Sequence, residues 1–265
     1  MNIIVCVKQV PGTSEVKVDE KTGVLKRDGV CAKINPYDLY ALETAMRIKA
    51  ATGAIVRVLS MGPPQAADVI RESFMMGADE GFLMSDRRFA GADVLATSYT
   101  LSQGIRKIGV PDLIICGKMT TDGDTAQVGP EMAEFLGIPH VANVRRITSI
   151  TQSCLTVEMD MPSCVEIADI TCPCLITVEK GINQPRLPSF RLKLATSGWK
   201  ITILTMEDLP DRDALHYGLN GSPTQVLKVF PPDAATLQEF WRGTGPELAD
   251  RIFDRLKELK FTMEK

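Results

Sequence analysis

At 265 residues the chain can bury a full core, as one large domain or as one domain with appendages. Its 45% hydrophobic and 24% charged residues are ordinary for a globular protein, and a net charge of −3 with Lys and Arg spread along the chain argues against nucleic-acid binding. No apolar run approaches a membrane span, and the first residues enter a strand pattern instead of a signal peptide, so no membrane association and a cytoplasmic setting are expected.

Strand and helix patterns alternate through the first half. Ile3 to Val7 reads as a buried strand, and Val16 to Val18 with Val24 to Lys26 as a hairpin around Lys21-Thr22-Gly23. Asn35 then predicts a helix N-cap, with Pro36 at the first helical position and Asp38 at the third. Leu39, Leu42, Ala45, Met46 and Ile48 form an apolar stripe that Gly53 closes. Ile55 to Leu59 predicts a strand, Pro64 to Met76 a helix stopped by Gly77, and Phe82 to Met84 a short strand. Asp93 to Ile108 predicts a helix stopped by Gly109, and Asp112 to Cys116 a buried strand. Such β-α-β-α repetition implies a parallel sheet covered by helices.

The period changes after about Pro139. Val144 to Ile150 and Leu155 to Met159 predict an antiparallel hairpin, followed by strands near Val165 to Ile170 and Leu175 to Val178, all extending the same sheet. Beyond Gly181, prolines at 185 and 188 surround Leu187 and Phe190. From Pro210 the chain shows few sheet signals and several Pro/Gly breaks. It ends in an amphipathic helix with Leu248, Ile252, Phe253, Leu256 and Leu259 on one face, which calls for a surface to pack on, its own domain or a partner.

Seven cysteines are an odd count with no pairing logic. Cys6, Cys31 and Cys116 read as small core residues. Cys164, Cys172 and Cys174 cluster loosely, but one residue between Cys172 and Cys174 is not the two of a zinc or redox motif. His140 and His216 stand isolated, with no carboxylate close by in sequence to make a nucleophile–base pair. Reduced thiols, no metal site and no catalytic side chain are expected.

The most informative stretch is Gly117 to Pro130, G-K-M-T-T-D-G-D-T-A-Q-V-G-P, lying between the 112–116 strand and a helix built on Met132, Ala133, Phe135 and Leu136. A strand that feeds a glycine-bearing loop opening a helix is how α/β proteins hold phosphates, on the unpaired amides of the first helical turn. Gly123 and Gly129 suit close backbone approach to a ligand, and Thr125 adds a hydroxyl. The spacing is neither a Walker loop nor G-x-G-x-x-G. Asp122 and Asp124 would repel a diphosphate, which predicts one carboxylate turned back to cap the helix and the other directed at ligand hydroxyls, leaving the amides of Thr125 to Val128 for phosphate. A solvated Asp-Gly turn before an ordinary capped helix fits the loop equally well.

Several segments fall into one pattern. Val5-Cys6-Val7-Lys8-Gln9-Val10, Lys21-Thr22-Gly23-Val24, Asn35-Pro36, Ser60-Met61-Gly62-Pro63, Met76-Gly77-Ala78-Asp79, Gly117-Lys118 and Asn183-Gln184-Pro185-Arg186 stand in the order and spacing of the β subunit of electron-transfer flavoproteins, which the chain resembles up to about Arg191. The resemblance implies a doubly wound α/β domain over residues 1–200, with a mostly parallel sheet of adenine-nucleotide-binding type and an antiparallel extension. Residues 201–265 would form a C-terminal arm packing on an α subunit. It implies adenosine contacts at Cys6, Asn35, Pro36, Tyr37, Asp38 and Met61. Phosphate-side contacts would come from Gly117, Lys118, Met119, Thr120, Thr121, Asp122, Gly123, Asp124, Thr125, Ala126, Gln127 and Val128. A docking loop would span about Asn183 to Ser197, with Leu187 or Phe190 as its apolar anchor.

Family members that only shuttle electrons carry AMP and tend to read D-D-x-N-Q-T-G-Q, whereas D-G-D-T-A-Q-V-G-P resembles the electron-bifurcating members, in which a second FAD takes that place. There NADH donates a hydride, one electron reaches ferredoxin and the other passes through the α-subunit FAD to an acyl-CoA or hydroxyacid dehydrogenase. Two departures touch the hairpin and not the loop: Met159 replaces the family's usual Arg, and Pro162-Ser163-Cys164 its acidic-Gly-Gly, while Glu166 and Pro173 keep their places. A one-flavin carrier with structural AMP, and an ATP-binding α/β protein without redox function, are the competing readings.

Overall fold

The computed structural model describes residues 1–12, 17–18, 25–26, 32–227 and 239–261. In chain order the elements are β1 (Asn2–Cys6), β2 (Gln9–Pro11), β3 (Lys17–Val18), β4 (Leu25–Lys26), β5 (Ala32–Ile34), α1 (Pro36–Thr52), β6 (Ile55–Met61), α2 (Ala67–Met76), β7 (Glu80–Met84), α3 (Val94–Ile108), β8 (Leu113–Gly117) and α4 (Val128–Leu136). They continue with β9 (His140–Ile150), β10 (Cys154–Asp160), β11 (Val165–Thr171), β12 (Cys174–Val178), α5 (Phe190–Ala195), β13 (Thr202–Leu204) and α6 (Gly245–Glu258).

The main sheet has nine strands in the order β11-β10-β9-β12-β8-β1-β6-β7-β13. Every neighbouring pair from β9 to β13 is parallel, and β10 and β11 add antiparallel to one edge. This is the α/β sheet with an antiparallel extension that the sequence predicts. Period-2 alternation sends β1 side chains to opposite faces. Ile3 and Val5 pack with Leu42 and Ala45 of α1 and Ile70 and Phe74 of α2. Ile4 packs with Leu101 and Ile105 of α3 and Met132 and Ala133 of α4. With helices on both faces, the sheet is doubly wound.

Helix ends follow local chemistry. Left-handed Gly53, Gly77 and Gly137 stop α1, α2 and α4. Asp93 caps α3 by accepting the Ala96 amide. Residues 64–66 form a 3-10 turn ahead of α2, so the helix expected from Pro64 begins at Ala67. The predicted hairpin pairs as β3 and β4, while its turn at 21–23 and Cys31 lie outside the described residues. Two features carry no sequence signal: the small β2–β5 pair and β13, which completes the sheet beyond residue 200.

The described chain falls into two compact units, Met1–Lys228 and Val229–Lys265. In the second, Thr244 and Glu247 form a capping box at the start of α6, and Arg251 lies 5.0 Å from the centroid of the Trp241 ring. Ile252, Phe253, Leu256 and Leu259 are exposed. Among the described residues no helix is long and apolar enough to cross a membrane.

Candidate functional site

From β1 the chain winds outward through β6 and β7, then crosses back to place β8 on the other side of β1. The carboxyl ends of β1 and β8 are therefore the point where the winding reverses, and open α/β sheets bind ligands in the crevice there. Cys6 ends β1 and Gly117 ends β8. The amino-terminal turn of α1, the 118–127 loop and the start of α4 surround the same point, so the predicted loop lies where the topology puts a ligand.

The floor of this crevice is polar and hydrogen-bonded within the protein. Asn35 is completely buried; its Nδ2 donates to Asp38 Oδ1 at 2.9 Å and to the Met119 carbonyl at 2.9 Å, and its Oδ1 accepts the Thr121 amide at 3.2 Å. Asn35 stands at the N-cap of α1 before Pro36, as expected, but its side chain makes no cap bond because the loop and Asp38 occupy both ends of its amide. Asp38 Oδ2 accepts the Lys8 amide at 2.7 Å. Burial pushes the Asp38 carboxyl up to about 7, against hydrogen bonds from Asn35, Lys8 and Gly117. Gly117 must be glycine: a Cβ there would lie 2.5 Å from Asp38 Oδ1 and 2.6 Å from the Tyr37 backbone. Cys6 and Cys116 face each other in register on β1 and β8. Hydrogen bonding with Cys6, then burial, raises the Cys116 thiol well above its usual value.

The loop carboxylates do not behave as expected. Lys8 Nζ, reaching from the end of β1, bonds both Asp122 oxygens at 2.8 Å. Burial opposes ionisation of Asp122, but the Lys8 bond holds it below its ordinary value. No side chain caps α4. Its first amides are thus left for an incoming group, and Pro130 in that turn has none to satisfy. The backbone strain lies at Asp124 (φ 55°) and Ala126 (φ 56°), not at Gly123, where a Cβ would make only ordinary contact with Thr120. Left-handed residues interleaved with others turn successive amides inward, the arrangement that binds anions. Gly129 is required by packing, since a Cβ there would come 2.6 Å from Thr177 Cγ2 of β12.

The other predicted positions fall around this core. Pro36 and Tyr37 are half-buried in the first turn of α1, and Met61 is half-buried at the end of β6, next to β1. Lys118 pairs with Glu179, and its amide bonds the Val178 carbonyl at 3.0 Å. Thr121, Asp122, Gly123, Asp124 and Thr125 are exposed, as is Gln127, whereas Thr120, Ala126 and Val128 are half-buried. Lys8 had no role assigned from sequence; its position two residues beyond the central strand, at the winding reversal, was the available signal.

The 183–186 stretch is held onto α1, and the Ser189 amide that follows bonds the Met75 carbonyl of α2. Asn183 Nδ2 donates to the Tyr40 carbonyl and to Thr44 Oγ1 at 3.0 and 2.8 Å. Arg186 Nε and Nη2 bond the buried Glu43 carboxylate at 2.6 and 3.2 Å. Leu187 is 87% and Phe190 70% exposed, so Phe190 does not pack inward. His216 is not isolated: its Nδ1 is 2.6 Å from Asp211 Oδ2, which also accepts the Tyr99 hydroxyl at 2.5 Å. Among the described residues no three His, Cys, Asp or Glu side chains are grouped to hold a metal ion.

A doubly wound sheet with a loop and an uncapped helix start at its winding reversal is the architecture in which open α/β proteins place a ligand. Comparison with known proteins narrows the class. The electron transfer flavoprotein domain matches residues 22–205. An electron transfer flavoprotein subunit beta from Thermoanaerobacterium thermosaccharolyticum is 44% identical over 257 residues, covering 97% of this chain and 98% of the relative. The caffeyl-CoA reductase-Etf complex subunit CarD from Acetobacterium woodii is 44% identical over 263 residues, with 97% and 98% covered. Protein FixA from Azorhizobium caulinodans is 39% identical over 272 residues, with 98% and 96% covered. The chain belongs to the electron transfer flavoprotein family, as a beta subunit that functions in electron transfer. Family members of this kind pair with an alpha subunit and hold FAD or AMP.

Proposed function

We propose that this beta subunit holds FAD rather than AMP at the winding reversal and works in flavin-based electron bifurcation with its alpha subunit. The observation that carries the reading is the 122–128 loop: two residues held left-handed, small side chains at Gly123 and Ala126, and a helix start without a side-chain cap. Such a loop suits a diphosphate followed by a ribityl chain. The amides of Thr125 to Val128 would hold the phosphates, with Lys8 neutralising Asp122 beside them. Cys6, Pro36, Tyr37 and Met61 would border the adenosine. Bound FAD would supply the redox chemistry, taking a hydride from NADH and passing electrons to ferredoxin and, through the alpha-subunit flavin, to a dehydrogenase. The relative named as part of a caffeyl-CoA reductase-Etf complex supports an acyl-CoA type over a hydroxyacid type of dehydrogenase.

In this reading the 183–195 segment presents Leu187 or Phe190 to a partner, and α6 seats on the alpha subunit. A cytoplasmic location follows from the redox partners. The test is to purify the heterodimer, denature it and identify the released nucleotides by chromatography with mass detection. Two FAD per heterodimer and no AMP is the expected result; one FAD and one AMP would make the protein a one-flavin carrier and overturn the loop argument.

A further inference from the structure

Resemblance assigns Asn35 and Asp38 to contact with the nucleotide, yet both are buried and their polar atoms are already bonded within the protein. Both donor hydrogens of Asn35 are committed, to Asp38 and to the Met119 carbonyl, and its oxygen holds the Thr121 amide. Asp38 holds Asn35 with one oxygen and the Lys8 amide with the other. Lys8 returns to the loop through its ammonium group on Asp122. The circuit runs from the end of β1 through α1 to the loop at Met119, Thr121 and Asp122, and back.

We propose that Asp38 is a positioning residue: its ionised carboxylate orients the Asn35 amide and the Lys8 backbone, fixes the loop through them, and thereby sets how long the site keeps an adenine nucleotide. This rests on the nucleotide-site reading above and is independent of whether FAD or AMP is held. The chemistry is one of acceptors. Every neighbour of Asp38 offers it a hydrogen, so only the acceptor-only ionised form satisfies them all. A protonated carboxyl points a hydrogen at a donor and gives up one bond, and the loop loses its anchor.

The groups facing Asp38 are Lys8 from the extension of β1, Asn35 and the Gly117 backbone, and the Cys116 thiol of β8, itself bonded with Cys6. Cys116 is raised well above its ordinary value, so it stays protonated through neutral pH. Burial brings Asp38 to about 7 and makes it the group of this cluster that titrates there. As pH falls through that value the anchor weakens.

The test follows dissociation of AMP and, separately, FAD from the beta site of the purified heterodimer at pH 6 and pH 8, for wild type, Asp38→Asn and Asn35→Ala. Asp38→Asn keeps the shape but turns an amide donor toward existing donors. It is expected to release nucleotide about tenfold faster at pH 8, the loss of roughly one hydrogen bond to a charged group, with no further change at pH 6. Wild type should approach that rate as pH is lowered. Asn35→Ala, which leaves Asp38 in place but cuts its link to the loop, should be fast at both values and serves alone where Asp38→Asn does not fold. Wild-type release that is equal at both pH values, or either variant releasing like wild type, would overturn the role of Asp38 alone. A wild-type heterodimer that keeps neither nucleotide at this site would overturn the nucleotide reading and this one with it.

Discussion

Under the proposed nucleotide site, Lys8 is the residue that offsets the acidity of the loop. The loop carries Asp122 and Asp124, and one ammonium group bonding both oxygens of Asp122 cancels the nearer repulsion. Both partners are partly solvent-exposed, so the pair contributes little to stability, about 0–1 kcal/mol. Its weight is in binding, where an unneutralised carboxylate near a phosphate acts in a less screened crevice. Lys8→Ala is expected to leave thermal stability nearly unchanged and to weaken nucleotide binding about tenfold, a coupling of roughly 1.4 kcal/mol. Calorimetric titration of the nucleotide-depleted heterodimer beside a melting curve reads both quantities; unchanged affinity would remove Lys8 from the site. Position in sequence marks this residue, but only the topology shows that it and Asp122, more than a hundred residues apart, meet.

Elements add a second kind of control. The segment after β12 is bonded to α1 at its start and exposes apolar side chains further on. Arg186 and Asn183 fasten it, and Leu187 and Phe190 face outward. Burial works against the charge on Glu43, but Arg186 and Arg47 hold its carboxyl below the usual value. The stability this provides is present above the unfolded value of 4.5 and lost as pH falls through the lower folded one. Arg186→Ala leaves a buried carboxylate short of partners and should cost about 1–3 kcal/mol. Leu187→Ala should leave the melting temperature unchanged and slow electron transfer to the dehydrogenase severalfold. Equal loss of transfer and stability in both variants would show that Leu187 serves the fold.

The stretch from Thr205 to Thr224 is held against α3 in a similar way, by Tyr99 and His216 on Asp211 and by Ser222 and Thr224 on Asp93. The Asp211 hydrogen bond raises the His216 imidazole above 6.5. A raised folded value means the pairing stabilises fully below 6.5 and fades as pH rises through the folded value. His216→Ala should therefore flatten the decline in melting temperature above about pH 6.5, read by calorimetry across that window. The sequence shows each α1–α4 helix because glycine stops and an Asp cap announce their ends. It does not show β13, since Thr202-Ile203-Leu204 is too short for a period and becomes a strand only by adding to β7. The Asn35 signal is real but ambiguous: a residue suited to cap a helix is equally suited to hold a loop that only the fold brings near.

At the scale of the molecule, the first compact unit holds an open nine-stranded sheet with a core on each face, with β13 at one edge and the 205–224 stretch fastened to α3. Its two core clusters are built from residues between Ile3 and Tyr217. The second unit contains a helix with strong caps and apolar side chains that remain exposed. An isolated helix of that length gains little in water without a surface to cover. Ending the chain at Lys228 should leave a folded beta domain with nearly the same melting temperature and an intact 117–128 loop. The same truncation should release the alpha subunit, because Ile252, Phe253, Leu256 and Leu259 would no longer bury their surface on it. Size-exclusion chromatography of the co-expressed subunits separates the outcomes. A heterodimer that persists after truncation would mean that the alpha subunit is held by the first unit alone. A beta domain that unfolds would mean that α6 completes its own fold.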